Sequence, residues 1–149
     1  MAINRQITYE KIDQYFSELS QKHTDILDYC GTSELELAEK LNSVDGIKSP
    51  ILVFFNYEGK LDGNSQRTLA NRTLGFAILI SGINADDITG QKEAKNKAEA
   101  IGLEVLSRIN FDSKNPEVDW LYNNLEKSSI TFTEVNGEQA QNLYGFDFY

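Results

Sequence analysis

Cysteine, proline, histidine and tryptophan are nearly missing from this chain. Its 149 residues include one cysteine, two prolines and one histidine. The lone Cys30 excludes an internal disulfide and is compatible with a reducing cytoplasm, and one histidine with one cysteine cannot build a zinc site without carboxylates. With so few prolines and ten glycines there is little room for a flexible linker. We therefore expect a single domain, residues 1–149, that folds without disulfides or metal.

Basic residues are scarce as well, with 14 against 23 acidic residues and a net charge of −9. Affinity for nucleic acid or for an anionic membrane normally comes from clustered lysine and arginine, so both partners are disfavoured. The longest apolar run, residues 76–80, is far shorter than the roughly 20 residues that span a bilayer. Residues 1–6 contain no apolar signal segment. These absences predict a soluble, cytoplasmic protein.

The middle of the chain carries its strongest pattern. Two apolar, strand-like runs at residues 51–55 and 74–80 flank a mostly polar segment at 58–72. The runs are expected to pair as a long hairpin, and the polar segment projects from it as an arm towards solvent or a partner. The residues predicted to contact a partner are Lys60, Asp62, Asn64, Gln66, Arg67, Asn71 and Arg72.

The second apolar run is unequal on its two faces. One face carries large side chains, whereas Gly75 and Ala77 are on the other. Because both faces are apolar, both should be covered. The small pair is expected to let a helix or a neighbouring subunit approach the backbone closely.

Helix-capping and alternation signals place the other elements. Thr8 can cap the first helix, Ser33 and Glu36 form a capping box, and Asn115 with Pro116 starts a further helix. Near the end of the chain, apolar residues alternate with polar ones on either side of a turn. The predicted helices are 8–22, 33–42, 87–109 and 116–126, and the predicted strands are 51–57, 68–81, 129–135 and 143–149.

These elements predict an α+β fold. The sheet is antiparallel, with about four strands and a long hairpin arm, and helices pack on it. Residues 25–30 fit either a short strand or a further helical turn.

Some residues form patterns that are typical of catalysis or metal binding, but each pattern is incomplete. His23, Asp25 and Cys30 suggest a triad, but a buried cysteine beside a surface histidine is the more common situation. Asp62, Asn64 and Gln66 have calcium-loop spacing, but glycine and the closing glutamate are missing. The acidic pair at 86–87 fits a helix N-terminus, and the glycines at 82 and 90 lack phosphate-loop spacing. The sequence predicts no catalytic, metal or cofactor-binding residue and no enzymatic activity, although scattered carboxylates and tyrosines leave an enzyme as a minor alternative.

The order of elements resembles that of a known group of structural proteins. A first helix is followed by a hairpin with a polar arm, a helix after an acidic turn, and a closing hairpin that ends in Gly145, Phe146, Asp147 and Phe148. This layout resembles the tail-completion, or tail-terminator-like, proteins of tailed bacteriophages and prophages. The longer helical opening before the first central strand departs from it.

The resemblance implies a particular function. It implies a non-enzymatic ring subunit, often in a hexamer, at the head-tail junction, with other tail or connector proteins as partners. The subunit would be cytoplasmic during assembly and then part of the virion. The arm would contact a neighbouring subunit or the adjoining ring, and the acidic surface would line a channel for DNA without sequence-specific binding. The competing hypothesis is a small acidic inhibitor or immunity protein for a basic partner, since complementary charge accelerates association.

Overall fold

Two long helices and a five-stranded mixed sheet make up the regular structure of the described chain. The computed structural model describes residues 7–33, 36, 39–40, 48–64, 67–84, 86–122, 125, 127–136 and 143–149, with the backbone alone for 61–64 and 67–71. The elements are α1 (Tyr9–Lys22), β1 (Asp28–Cys30), β2 (Ile51–Asn64), β3 (Arg67–Ile80), α2 (Ile88–Asp112), a 3-10 turn (Lys127–Ser129), β4 (Phe132–Val135) and β5 (Tyr144–Phe148).

Helix α1 forms where capping and periodicity predict it. Thr8 Oγ1 accepts a hydrogen bond from the Lys11 N–H at 3.3 Å and so satisfies one of the free donors of the first turn. Ile12, Phe16 and Leu19 recur at helical spacing and are buried. The helix therefore packs one face onto the sheet and leaves the other in water.

Helix α2 extends three residues beyond the expected end at 109. Asp87 caps its start, with Oδ1 accepting from the Gly90 N–H at 2.9 Å. At its other end Asp112 is buried, because Arg108 and Tyr15 bind its carboxylate. An apolar stripe cannot reveal a buried acid, which is why the expected boundary was too early.

The sheet differs from the expected four antiparallel strands. Its order is β1-β2-β3-β5-β4, and β1 pairs with β2 in parallel, with Asp28 opposite Ile51 and Cys30 opposite Val53. The other pairs are antiparallel. A three-residue strand is too short to show a period, so neither this strand nor its direction was predictable from residues 25–30 alone.

The helix predicted at 116–126 is absent from the described part of that segment. Residues 116–122 form consecutive turns, and the Val118 and Leu121 N–H groups each bond a carbonyl three residues earlier. The side chain of Asn115 accepts from the Glu117 N–H at 3.0 Å, which closes a local turn. This is the bond that a helix N-cap makes, so the predicted cap is present, but the Val118 and Leu121 bonds that follow it close turns in place of a regular α-helix.

The predicted helix 33–42 lies mostly outside the described residues. Its start is visible at Ser33, whose Oγ accepts from the Glu36 N–H at 3.3 Å. Glu36, Glu39 and Lys40 are helical. Of the described helices, none is long and apolar enough to cross a membrane.

The two faces of the sheet carry separate apolar clusters. The helix-side face holds Leu52, Phe54, Phe76, Ile78 and Phe148 against α1 and α2. Helix α2 approaches the sheet closely at Gly102, where an added Cβ would lie 2.0 Å from the Phe148 ring. Glycine is needed here because the ring occupies the space of a side chain.

The sheet face opposite to α1 and α2, here called the second face, is not covered by α2 as the small residues Gly75 and Ala77 suggested. It buries Cys30, Ile51, Val53, Ala77 and Leu79, with Val135 and Leu143 in the same cluster. At Gly75 an added Cβ would lie 2.9 Å from the Phe55 ring of the adjacent strand. At Gly75 the space expected for a helix or a neighbouring subunit is thus taken by a side chain of the same chain, and α2 packs on the opposite face. The approach of another subunit to this face stays a prediction.

Candidate functional site

The polar arm is a two-stranded ribbon that continues β2 and β3 past the rest of the sheet. In β2 only Ile51 to Val53 pair with β1, and in β3 only Phe76 to Ile80 pair with β5. From Asn56 opposite Gly75 to Asn64 opposite Arg67, the two strands pair with one another alone within the described chain. At about 3.4 Å per residue these nine pairs extend about 27 Å.

A bulge and an aromatic cluster hold the base of this arm against α1. The register shifts between Phe54 and Asn56, so Phe55 is the extra residue of a β-bulge. As a result Tyr57 joins Phe54 on the helix side, where its ring lies edge-on to Tyr9 at 5.4 Å. The Tyr57 hydroxyl accepts from Arg72 Nε at 3.0 Å. The root of the arm is therefore rigidly attached to the core.

The predicted contact residues occupy different parts of the arm. Lys60 is exposed, and the register places it opposite Asn71. Arg72 is half-buried at the root, where it holds Tyr57. Of the other predicted residues the structure describes the backbone alone: Asp62 lies opposite Leu69, and Asn64 lies opposite Arg67. Gln66 is outside the described residues.

The charge of the arm is opposite to that of the rest of the chain. Residues 58–72 include three basic and two acidic residues, whereas the remainder has 11 basic and 21 acidic residues. The segment also contains Leu61, Leu69 and Ala70, so it is less uniformly polar than its flanks suggest. An acidic surface with some apolar area is the complementary partner for such a segment.

The outer edge of β4 is a second exposed feature, and no motif in the sequence marks it as a site. β4 is the last strand of the sheet, and no strand of the described chain pairs with its outer side. Residues 131–134 are all exposed, and the Phe132 side chain is 45% exposed although its ring stacks on Phe148. Unpaired strand edges are templates for pairing with another strand.

The opposite edge of the sheet is protected. Strand β1 has three residues, and Lys40 Nζ lies 3.1 Å from Asp28 Oδ1 beside it. A short strand flanked by charged groups is a common way to prevent edge pairing. The two edges of the sheet are therefore not equivalent as contact surfaces.

A cleft of about 340 Å³ lies between α1 and the turns that follow α2. At its floor Tyr15 donates to Asp112 Oδ2 at 2.6 Å, and Arg108 Nε lies 3.1 Å from Asp112 Oδ1. The Trp120 ring packs edge-on to Tyr15 at 5.2 Å. Burial, together with Asp112, raises the pKa of Tyr15 far above its ordinary value. Because both oxygens of the buried acid are already bound, this cluster ties α1 to α2 and has no reactive group directed at the cleft.

A histidine and two acids meet at the C-terminal end of α1. His23 Nε2 lies 2.6 Å from Glu104 Oε2, and the Asp25 N–H donates to His23 Nδ1 at 3.1 Å. The three side chains are close enough to hold a metal ion. A metal on Nε2 would require the ring proton on Nδ1, where it would face the Asp25 N–H. The Glu104 carboxylate and the Asp25 N–H therefore account for both ring nitrogens without a metal ion.

Cys30 is not placed to act as a nucleophile. It is fully buried in the second-face cluster. Burial raises the pKa of its thiol to about 11. The thiolate, which is the nucleophilic form, is therefore scarce near neutral pH.

Comparisons of this chain with protein-family models, with curated proteins and with solved structures yield no match.

Proposed function

We propose that this protein is a non-enzymatic assembly subunit whose hairpin arm contacts neighbouring subunits. The proposed assembly is a ring at the head-tail junction of a tailed bacteriophage or prophage, with other tail or connector proteins as further partners. The observation that carries the proposal is the ribbon at residues 56–75, which extends beyond the sheet and leaves both of its edges unpaired within the described chain.

The physical argument concerns the stability of an isolated ribbon. A two-stranded hairpin alone in water is marginally stable, and its free edges promote association. A neighbouring subunit that covers the arm would remove both liabilities. The bulge at Phe55 and the contact of Tyr57 with α1 hold the root, so the arm meets its partner already oriented.

The order of elements supports the choice of assembly. The first helix, the hairpin with its arm, the helix that starts at the acidic cap Asp87 and the closing β4–β5 hairpin occur in the sequence order on which the phage resemblance rests. The acidic surplus of the body is compatible with a channel that DNA passes without binding.

A shortened arm tests the proposal. Residues 59–72 are replaced by Asn-Gly, which joins Glu58 to Thr73, two residues that are paired in the ribbon. Asn-Gly suits the two-residue turn that such a junction requires. We expect the wild-type protein to associate with rising concentration in sedimentation velocity and to form rings in negative-stain electron microscopy. The shortened variant should remain a folded monomer with a Tm within a few degrees of wild type.

Two results would overturn the proposal. One is a wild-type protein that stays a strict monomer at millimolar concentration, which would favour the acidic inhibitor instead. The other is a shortened variant that associates as strongly as wild type, since the arm would then be irrelevant to assembly.

A further inference from the structure

The hydrogen-bond pattern of β4 defines what its free edge offers. Thr131 and Tyr149 exchange two backbone bonds, Thr131 N–H to Tyr149 O at 3.3 Å and Tyr149 N–H to Thr131 O at 2.8 Å. In an antiparallel pair such positions alternate with non-bonded ones. Phe132 and Glu134, opposite Phe148 and Phe146, are therefore the non-bonded positions, and their N–H and C=O groups point away from β5. The edge presents two donors and two acceptors to an incoming strand.

Apolar side chains lie beside this edge. Lys95 of α2 contacts Glu134 at 3.3 Å and Asn136 at 2.6 Å, which shows the flank of α2 that faces β4. Leu103 and Leu106 follow on that flank at helical spacing, and Leu103 is 44% exposed. On β4 itself, the Phe132 side chain, 45% exposed, is the apolar group offered to a strand placed against this edge.

We infer that the free edge of β4 is the docking site for the arm of a second copy of this chain, which extends the five-stranded sheet across the subunit boundary. This inference rests on the proposed function and identifies the surface of one subunit to which the arm of the next subunit binds. The occupant of a strand edge must itself present an unpaired strand edge. In the described chain the arm, where β2 and β3 pair only with each other, has two such edges.

The arm must come from another copy. It continues β2 and β3, and β5 lies between β3 and β4 in the sheet. A ribbon held at its root by Tyr57 and Arg72 cannot turn back across β5 to reach the edge of its own sheet. The basic surplus of the arm and the acidic surplus of the body favour an arm-to-body contact over an arm-to-arm contact.

Replacing Glu134 with proline tests whether the outward hydrogen bonds of β4 are needed for association. Proline removes an outward N–H and leaves the bonds to β5 intact, and edge strands tolerate it at such positions. Glu134→Ala is the matched control, because it loses the same side chain and its contact with Lys95 but keeps the N–H. We expect Glu134→Pro to weaken self-association by about tenfold, and Glu134→Ala to remain close to wild type. Near-UV circular dichroism and Tm verify that both variants are folded.

Thiol cross-linking provides a readout that does not depend on proline. Lys60→Cys protein is mixed with Thr133→Cys protein and treated with a short bifunctional maleimide, and the wild-type chain, in which Cys30 is buried, is the control. We expect a product that contains one chain of each kind. Products that join two Lys60→Cys chains in place of the mixed pair would overturn the inference.

The outcomes separate the two proposals. If the shortened arm abolishes association but Glu134→Pro behaves as Glu134→Ala and no mixed product forms, the arm docks elsewhere and only the β4 site is wrong. If the shortened arm leaves association unchanged, the proposed function itself fails.

Discussion

Gly102 allows α2 to pack closely on the sheet, because the Phe148 ring occupies the space beside it. Alanine is about 1 kcal/mol more favourable than glycine inside a helix. In this position, however, the added methyl would meet a ring that is 1% exposed and has no room to move. We expect Gly102→Ala to lower the free energy of unfolding by about 1–3 kcal/mol, measured by chemical denaturation.

Two variants test the cause of that loss. Ser107→Ala, on the exposed face of the same helix, should be neutral or slightly stabilising. Phe148→Leu combined with Gly102→Ala should be less destabilised than the sum of the two single changes, since the smaller side chain relieves the clash. Strict additivity would show that the ring is not responsible.

Asp147 makes stability depend on pH. It lies on the second face of the sheet, opposite Ala77, and burial raises its pKa from 3.8 to about 6. Between these two values the folded protein binds the proton more tightly than the unfolded chain does, so the contribution of this group to stability falls as pH rises through the window. Asp147→Asn should therefore raise Tm at pH 7 relative to wild type, and the difference should vanish below about pH 4.

The exposed acid Asp86 is the control for this prediction. Asp86→Asn removes one exposed carboxylate and leaves the second face of the sheet unchanged, so it should not reproduce the change in Tm expected for Asp147→Asn. A difference between Asp147→Asn and wild type that stays constant from pH 4 to 7 would contradict the assignment to Asp147.

Among the elements, the arm is expected to be the least protected regular structure. Its strands lack the further neighbours that β1 and β5 provide to residues 51–53 and 76–80. Hydrogen exchange followed by mass spectrometry at low concentration should show faster exchange in peptides from 58–73 than in those from 51–54 and 76–80. Raising the concentration should slow exchange in the arm as partners cover it. Equal protection of the arm in dilute monomer would mean that the same chain already covers it.

The elements also show how far local pattern predicts structure. The hairpin and α1 were predictable because strand alternation and helical spacing act between near neighbours. The 116–126 segment was not, because the side chain of Asn115 satisfies a turn as readily as a helix cap. The arm was predictable as a projecting hairpin between apolar strands, and its contact with a partner stays a prediction. The edge position of β4 was not predictable, because nothing within residues 132–135 shows that they are last in the sheet.

For the whole molecule, arm-to-edge docking predicts complementation between two defective variants. The shortened-arm protein keeps an intact β4 edge, and the Glu134→Pro protein keeps an intact arm. Since the interface is heterologous, each pair of copies uses one arm and one edge. A mixture of the two variants should form a 1:1 dimer and no larger species, as measured by mass photometry or light scattering.

The same mixture discriminates against a symmetric interface. Two copies that joined arm to arm would each need an intact arm. The shortened variant would then pair neither with itself nor with the Glu134→Pro protein. Absence of the mixed dimer, together with self-association of Glu134→Pro, would show that the interface is arm to arm.

The α+β class, the caps of α1 and α2, and a hairpin with an exposed arm can be predicted from the amino-acid sequence, because they follow from interactions between residues near one another in the chain. The packed fold is needed to see the parallel pairing of β1, the edge position of β4, the contact of Gly102 with Phe148 and the burial of Asp112. Each of these depends on residues that are distant in sequence, such as Tyr15 and Asp112, 97 positions apart. Their proximity results from the packing of the helices on the sheet, which no local pattern encodes.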